Sequence, residues 1–346
     1  MPRLYDHAYF ADRHGLEIIP VEDLTLQLLR DGDASTIKPA PGTPPPSQKR
    51  LSDLEAIAVP PAWQDVRFAP SAKAHLQVVG TDANGRRQYI YHEQWQQVRD
   101  AVKAHRLLRF GRCLPRIRRR IDKDLDRNTL DRRVVTASAA ALLDRKLVRP
   151  GNEKYAKTGT TGATTVKRSH VKVEKSKARF RYRGKSGKRI EFTVRGKRLM
   201  RKLKMLKKSG GERLFSKRRD GDGFRLSSRS LNDYLNDSTS IPVSSKDFRT
   251  FGASAIALEA LCETQAEKPE ATPPQRNRAV SGVMKEVSEH LRNTPSVARS
   301  SYVHPTIVTA YLDGNLDPGL IKGRRRERLS SAETGLMRFL EEQVEH

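Results

Sequence analysis

The stretch "RNTPSVARSSYVHP", Arg292 to Pro305, sets one tyrosine among two arginines and three serines, with few residues suited to a core. Thr294 offers a hydroxyl for an N-cap and Pro295 a ring-fixed φ at the first helical position, so a short helix should open here. Pro305 disfavours helical angles in the residue before it, so that helix should stop near His304. Tyr302, near its end, is either ordinary packing or a displayed nucleophile, since tyrosine is among the side chains that form covalent intermediates.

The charge distribution suggests what such a nucleophile would meet. The net charge is +27 and the pI about 10.4. Residues 1–92 are nearly balanced, with 10 Lys/Arg against 11 Asp/Glu, as are residues 231–346, with 14 against 16. Residues 111–230 hold 39 against 11, so the excess sits in one third of the chain. A field concentrated in this way points to a polyanion, and counterion release makes nucleic acid the natural one. Membrane phospholipid is the rival, but no lipidation motif and no strongly apolar helix face accompany the charge.

Several chemistries are set aside. There is no GxxxxGK[ST] phosphate loop, no G-x-S-x-G and no dinucleotide fingerprint. Cys113 and Cys262 are the only cysteines, and the nine histidines form no HExxH, which argues against a disulfide framework or a metal centre and for a reducing cytoplasm. The N-terminus has no apolar h-region of a secretory signal, and the longest nearly apolar run, from Val134, is about half a membrane span. A phosphodiester reaction without ATP or metal needs fixed cations for the charge growing on the non-bridging oxygens, and arginine forks suit this best. It also needs a general acid for the leaving alkoxide, a neutral donor and a side-chain nucleophile.

The elements that would position such groups are legible in outline. "STIKPAPGTPPPSQKR" at 35–50 reads as an exposed loop or linker. "AIAVPPAWQDVRFAP" is strand-like, and "HLQVVGTDANGRRQYIYH" reads as a hairpin turning at Asp82-Ala83-Asn84-Gly85. "HEQWQQVRDAVKAHRLLRF" and "DRRVVTASAAALLDRKLV" have helical spacing. Residues 166–194 alternate as a short meander turning at Gly184–Gly187, and the pattern from about 196 is helical, interrupted at 268–278. The expected class is α+β: a small β-rich N-terminal domain, 1–92, and a larger, mainly α-helical domain, 93–346, containing a short sheet.

"KDFRTFGAS" at 246–254 resembles the Lys-Asp-x-Arg-Thr-[Tyr/Phe]-Gly signature of type IB DNA topoisomerases, especially the bacterial and poxvirus branch. "LVRPGNEKYAK" at 147–157 is similar to that family's first arginine motif, with Arg149 in the key position, and "RGKSGKRIEF" at 183–192 to its catalytic lysine hairpin. The hairpin places the lysine at Lys185, though Lys188 shares the turn. "RNTPSVARSSYVHP" resembles the terminal motif with Tyr302 as nucleophile, and "TDANGRRQYIYH" the segment whose glutamine and two tyrosines touch duplex DNA, here Gln88, Tyr89 and Tyr91. The alternation of a strand puts Tyr89 and Tyr91 on one face and Gln88 on the other. Poxvirus members carry a histidine where Asn293 stands; an amide can donate a neutral hydrogen bond there but cannot transfer a proton. His290, three residues earlier, is a possible substitute.

The resemblance, from about residue 58 to 305, implies a cytoplasmic, nucleoid-associated monomer that relaxes supercoiled duplex DNA. Tyr302 would form a transient 3′-phosphotyrosyl link, Arg149, Arg249 and Asn293 would stabilise the transition state, and Lys185 would protonate the leaving oxygen. No cofactor, no metal and no membrane are expected. A tyrosine recombinase or integrase is one alternative, although its His-x-x-Arg is replaced here by Lys246-Asp247-Phe248-Arg249. A non-catalytic DNA-binding architectural protein is the other.

Overall fold

The proline-rich segment that reads as a linker begins as a strand, ending at Pro39. The computed structural model describes residues 7–31, 34–217 and 223–345. It divides into two compact units, Met1–Arg106 and Leu107–His346.

The first unit opens with α1 (His7–Arg13) and continues through β1 (Leu26–Asp31), β2 (Ala34–Pro39), α2 (Gln48–Glu55), β3 (Gln64–Phe68), β4 (Leu76–Thr81) and β5 (Arg87–Tyr91). The five strands form one antiparallel sheet in the order β2-β1-β3-β4-β5. The expected loop over 35–50 is therefore only partly a loop. Residues 34–39 pair along the whole of β1, with Ile37 opposite Leu28, and 48–50 begin α2 behind the Ser47 cap. β2 lies at the sheet edge, where a terminal proline costs no ladder bond, so Pro39 is compatible with a strand after all. Leu26, Leu54, Val66, Phe68 and Val78 fill the core between sheet and α2.

The hairpin of β4 and β5 turns where the sequence predicts. The Asp82 carboxylate accepts hydrogen bonds from the Asn84 and Arg86 amides, both 2.9 Å, and Gly85 takes the left-handed φ of +71° that the turn requires. Helix α3 (Trp95–Asp126) begins in this unit, where Trp95, Val98 and Val102 pack on Phe10, Ala11 and Leu16.

The second unit contains the rest of α3, then α4 (Arg132–Lys146), α5 (Glu153–Ala156), β6 (Val171–Val173), β7 (Lys177–Arg183), β8 (Arg189–Arg195) and α6 (Lys197–Lys208). A two-residue ribbon, β9 (Ser216–Lys217) and β10 (Phe224–Arg225), interrupts the otherwise helical run expected after 196. There follow α7 (Ser228–Asn236), α8 (Ser245–Glu267), α9 (Pro273–Leu291), α10 (Pro295–Ser301), α11 (Pro305–Leu312) and α12 (Ser331–Glu345). The β6-β7-β8 sheet is antiparallel, and its alternation is strict: Phe180, Tyr182, Ile190 and Phe192 point inward while Arg181, Arg183, Arg189 and Glu191 face solvent.

Helix α8 is the centre of this unit and packs against α4, α7, α9, α11 and α12. Helix α4 is buried from Val134 to Leu143, capped by Asp131 at its start and ended by Leu147 in the left-handed region at φ 49°. Its last turn is pinned by Arg118 of α3, which bridges Asp144 at 2.8 Å and Glu333 of α12 at 2.7 Å. Where α4 meets α8, Gly252 leaves the space that Leu147 occupies; a Cβ there would stand 2.6 Å from Leu147 Cδ2. Among the described residues no helix is long and apolar enough to cross a membrane.

Candidate active site

Two helix ends meet at one buried guanidinium. Arg249 of α8, only 2% exposed, donates from Nη1 to the Leu147 carbonyl at the end of α4 and from Nη2, at 3.1 Å, to the Leu291 carbonyl at the end of α9. Both helices stop in a left-handed residue, Leu147 and Arg292, which leaves these carbonyls turned outward and unclaimed by their own helices. The partial negative charge of helix C-termini compensates a buried cation. Burial pushes the Arg249 pKa down to about 10; Tyr302 opposes that shift and Arg149 adds to it. The group thus keeps its charge at neutral pH.

Tyr302 caps α10, its amide donating to the Ala298 carbonyl at 3.1 Å. The helix ends at Ser301, short of the His304 end that Pro305 alone suggested. The cause lies on α8, where the Ser254 hydroxyl donates to the Tyr302 carbonyl at 3.2 Å and accepts from the His304 amide at 3.0 Å. These bonds take up backbone groups of residues 302 and 304 and fix the segment on the same helix that carries Arg249. Val303 and His304 are buried at 1% and 0% exposure, which anchors the segment further.

This placement brings the Tyr302 ring under Arg249, whose guanidinium carbon lies 4.8 Å from the ring centroid. Burial pushes the phenol pKa up, but the charge and hydrogen bonding of Arg249, with the charges of Arg149 and Lys246, outweigh it and hold the group below its ordinary value. Other tyrosines go the opposite way. Burial pushes Tyr182 up to about 12, and Tyr234 is raised by burial and by Asp124, which accepts its hydroxyl at 2.9 Å. The surroundings of Tyr302 favour the anion instead.

A small cavity gathers the remaining candidates. Arg149, Lys185, Arg249 and Arg292 line it together with Thr161 and Tyr182. Arg149 comes from the loop after α4, and Lys185 from the β7–β8 turn, which is closed by the Gly184 amide donating to the Lys188 carbonyl at 2.8 Å. Lys188 is not among the lining residues. Asn293 lies beside Arg292 in the α9–α10 connection but does not line the cavity; its two amide heavy atoms are sequestered and have no hydrogen-bond partner. His290 is exposed in the last turn of α9, and its carbonyl accepts from Arg292 at 2.9 Å.

Gln88, Tyr89 and Tyr91 belong to the other unit, on β5. Tyr89 and Tyr91 share a face, each 41% exposed, with ring centroids 6.2 Å apart, and Trp95 continues the stack 6.1 Å beyond Tyr91. Gln88, of opposite parity, donates to the Asp82 carboxylate at 2.7 Å. Arg292 and Ser254 were missed by sequence reasoning, although both stand inside the quoted motifs. Nothing in the local pattern reveals that one accepts a left-handed backbone or that the other reaches 48 residues along the chain.

Two family models and several viral relatives match the chain. Residues 92–314 match the family described as eukaryotic DNA topoisomerase I, catalytic core, and residues 39–82 match the bacterial DNA topoisomerase IB N-terminal domain. The chain is 30% identical over 264 residues to DNA topoisomerase 1B of Acanthamoeba polyphaga mimivirus, covering 74% of this chain and 78% of that one. It is 27% identical over 270 residues to DNA topoisomerase 1B of vaccinia virus (strain Copenhagen), covering 76% and 82%. These matches define a strand-cleaving and rejoining isomerase, and the chain belongs to the type IB DNA topoisomerase family.

Proposed function

We propose that the chain relaxes supercoiled duplex DNA through a 3′-phosphotyrosyl intermediate, with Tyr302 as the nucleophile. The single observation that carries this is the Tyr302 phenol beneath the Arg249 guanidinium, its pKa held down although it is partly buried. The Tyr302 Oη loses its proton to solvent and bonds to phosphorus as the bond from phosphorus to O5′ breaks. Lys185 gives a proton to O5′, and the freed 5′ end rotates. Attack by the 5′-hydroxyl then reverses the step, and no ATP is needed because the phosphotyrosyl bond conserves the energy of the phosphodiester.

Arg149 and Arg249 neutralise the non-bridging oxygens in the transition state, where fixed charges need no reorganisation. Asn293, whose amide has no protein partner, supplies the neutral donor. The sheet unit clamps the duplex, with Tyr89, Tyr91 and Gln88 of β5 on the DNA, and the basic segment 111–230 supplies most phosphate contacts. Such contacts set position and affinity rather than sequence preference. Every proposed catalytic group comes from one chain, which supports a monomer. The bacterial-type match over 39–82 supports a bacterial enzyme, and a duplex-DNA substrate favours the nucleoid of the cytoplasm as its place of action.

Plasmid relaxation in EDTA without ATP tests the reading. The natural protein should relax the plasmid and Tyr302→Phe should not. Relaxation by both would place the chemistry on another residue.

A further inference from the structure

Arg292 occupies a position that its own backbone does not favour. It closes α9 at φ 56°, in the left-handed region where glycine is the residue without strain. Its side chain shows what an arginine gains there. Nη1 donates at 2.9 Å to the Lys146 carbonyl and at 2.9 Å to the His290 carbonyl. Arg249 holds the carbonyls of the adjacent residues, Leu147 and Leu291. Two guanidiniums therefore cross-link the same two helix ends through neighbouring carbonyls. They diverge beyond that point. Arg249 reaches the Tyr302 ring, and the Arg292 guanidinium carbon sits 5.0 Å from the centroid of Phe192 on β8.

Phe192 belongs to the hairpin that carries Lys185. It stacks on its cross-strand partner Phe180 at 4.8 Å with the ring planes 8° apart, and meets Tyr182 edge-on at 6.2 Å. Those rings set the register of the two strands below the turn at Lys185. The turn itself is exposed and includes Ser186 at φ 59°. A cation resting on an aromatic face is a directional contact whose strength grows as water is excluded. Arg292 is also half-buried and lines the cavity beside Arg149, Lys185 and Arg249.

We infer that Arg292 is a positioning residue for the leaving-group step, tying the Lys185 hairpin to the helix ends that hold Arg249. The inference rests on the reading of Lys185 as the general acid. Its consequence is specific: losing Arg292 should impair protonation of O5′ more than attack by Tyr302.

The test compares single-turnover cleavage of a duplex bearing an ordinary phosphodiester with the same duplex carrying a 5′-bridging sulfur at the scissile phosphate. A thiolate is a weaker base than an alkoxide and departs without an acid. Arg292→Gly suits the left-handed backbone, which offsets part of the loss of its two hydrogen bonds, so the variant should stay folded, as a thermal melt will check. It should cleave the ordinary duplex tenfold or more slowly and the sulfur duplex at nearly the natural rate. Arg292→Lys keeps the charge but not the fork, and should show the same pattern more weakly.

A defect in Arg292→Gly that persists on the sulfur duplex, or no defect on either duplex, would overturn the inference. Lys185→Ala is the control for the underlying reading and should be rescued by sulfur as well. Failure of rescue in Lys185→Ala alone would overturn the assignment of Lys185 and leave Arg292 positioning a different acid on the hairpin. Failure in both would overturn both.

Discussion

Arg249 is held by backbone carbonyls at two helix ends and the Tyr302 backbone by the Ser254 hydroxyl of α8, whereas Lys185 stands on an exposed turn whose flanking strands present arginines to solvent. The first pair is fixed before substrate arrives. Its guanidinium is clamped between two helix C-termini and its phenol segment is tied to Ser254. The lysine instead stands on a solvent-exposed turn, tied to those helix ends only indirectly, through Phe192 and Arg292. A growing negative charge is best met by dipoles and cations that need not move. The division suggests that mutations on the two sides should fail differently.

Arg249→Ala should produce the largest break in that contrast. It removes a cation from the site and leaves two buried carbonyls unpaired. Cleavage should fall by about 10²- to 10³-fold, the scale seen when one preorganised donor is lost, and stability by about 1–3 kcal/mol. The pH profile sharpens the prediction. Cleavage by the phenolate form should rise with pH and level off below the ordinary phenol value near 10, because Arg249 and its neighbours favour the anion. In Arg249→Ala burial persists while the opposing charge is gone, so the plateau should move to higher pH. An unmoved plateau would mean that the titrating group is not Tyr302.

Ser254→Ala should cost less. It deletes the hydroxyl shared by the Tyr302 carbonyl and the His304 amide, and His304 is fully buried, so an orphaned N–H remains. Thermal unfolding should report a loss of about 1–2 kcal/mol, and single-turnover cleavage should slow about tenfold on ordinary and sulfur-bridged duplexes alike. That equality separates the nucleophile side from the Lys185 side. The smallest effect is expected in the other unit: Tyr89→Ala should weaken duplex binding by about 1 kcal/mol, on the scale of one lost aromatic contact, and leave cleavage at saturating DNA unchanged.

Much of the site was legible in the sequence because its residues sit in short, ordered motifs. Arg149, Lys185 and Arg249 line one cavity, and Tyr302 lies against Arg249. The strand alternation that set Tyr89 and Tyr91 on one face is also seen. What stayed hidden depends on contacts between distant segments. The early end of α10 comes from a serine on α8, and the cross-link of α4 to α9 depends on two left-handed residues with ordinary side chains, Leu147 and Arg292. The strand at 34–39 was hidden by the proline run that follows it and by Pro39, which matters little at the end of an edge strand.

The most direct test of the account is to trap the protein on a suicide duplex that cannot religate, digest the adduct and map the residue bearing the nucleotide by mass spectrometry. The expected adduct is a 3′-phosphate esterified to Tyr302. An adduct on any other residue, or cleavage with no adduct at all, would contradict it.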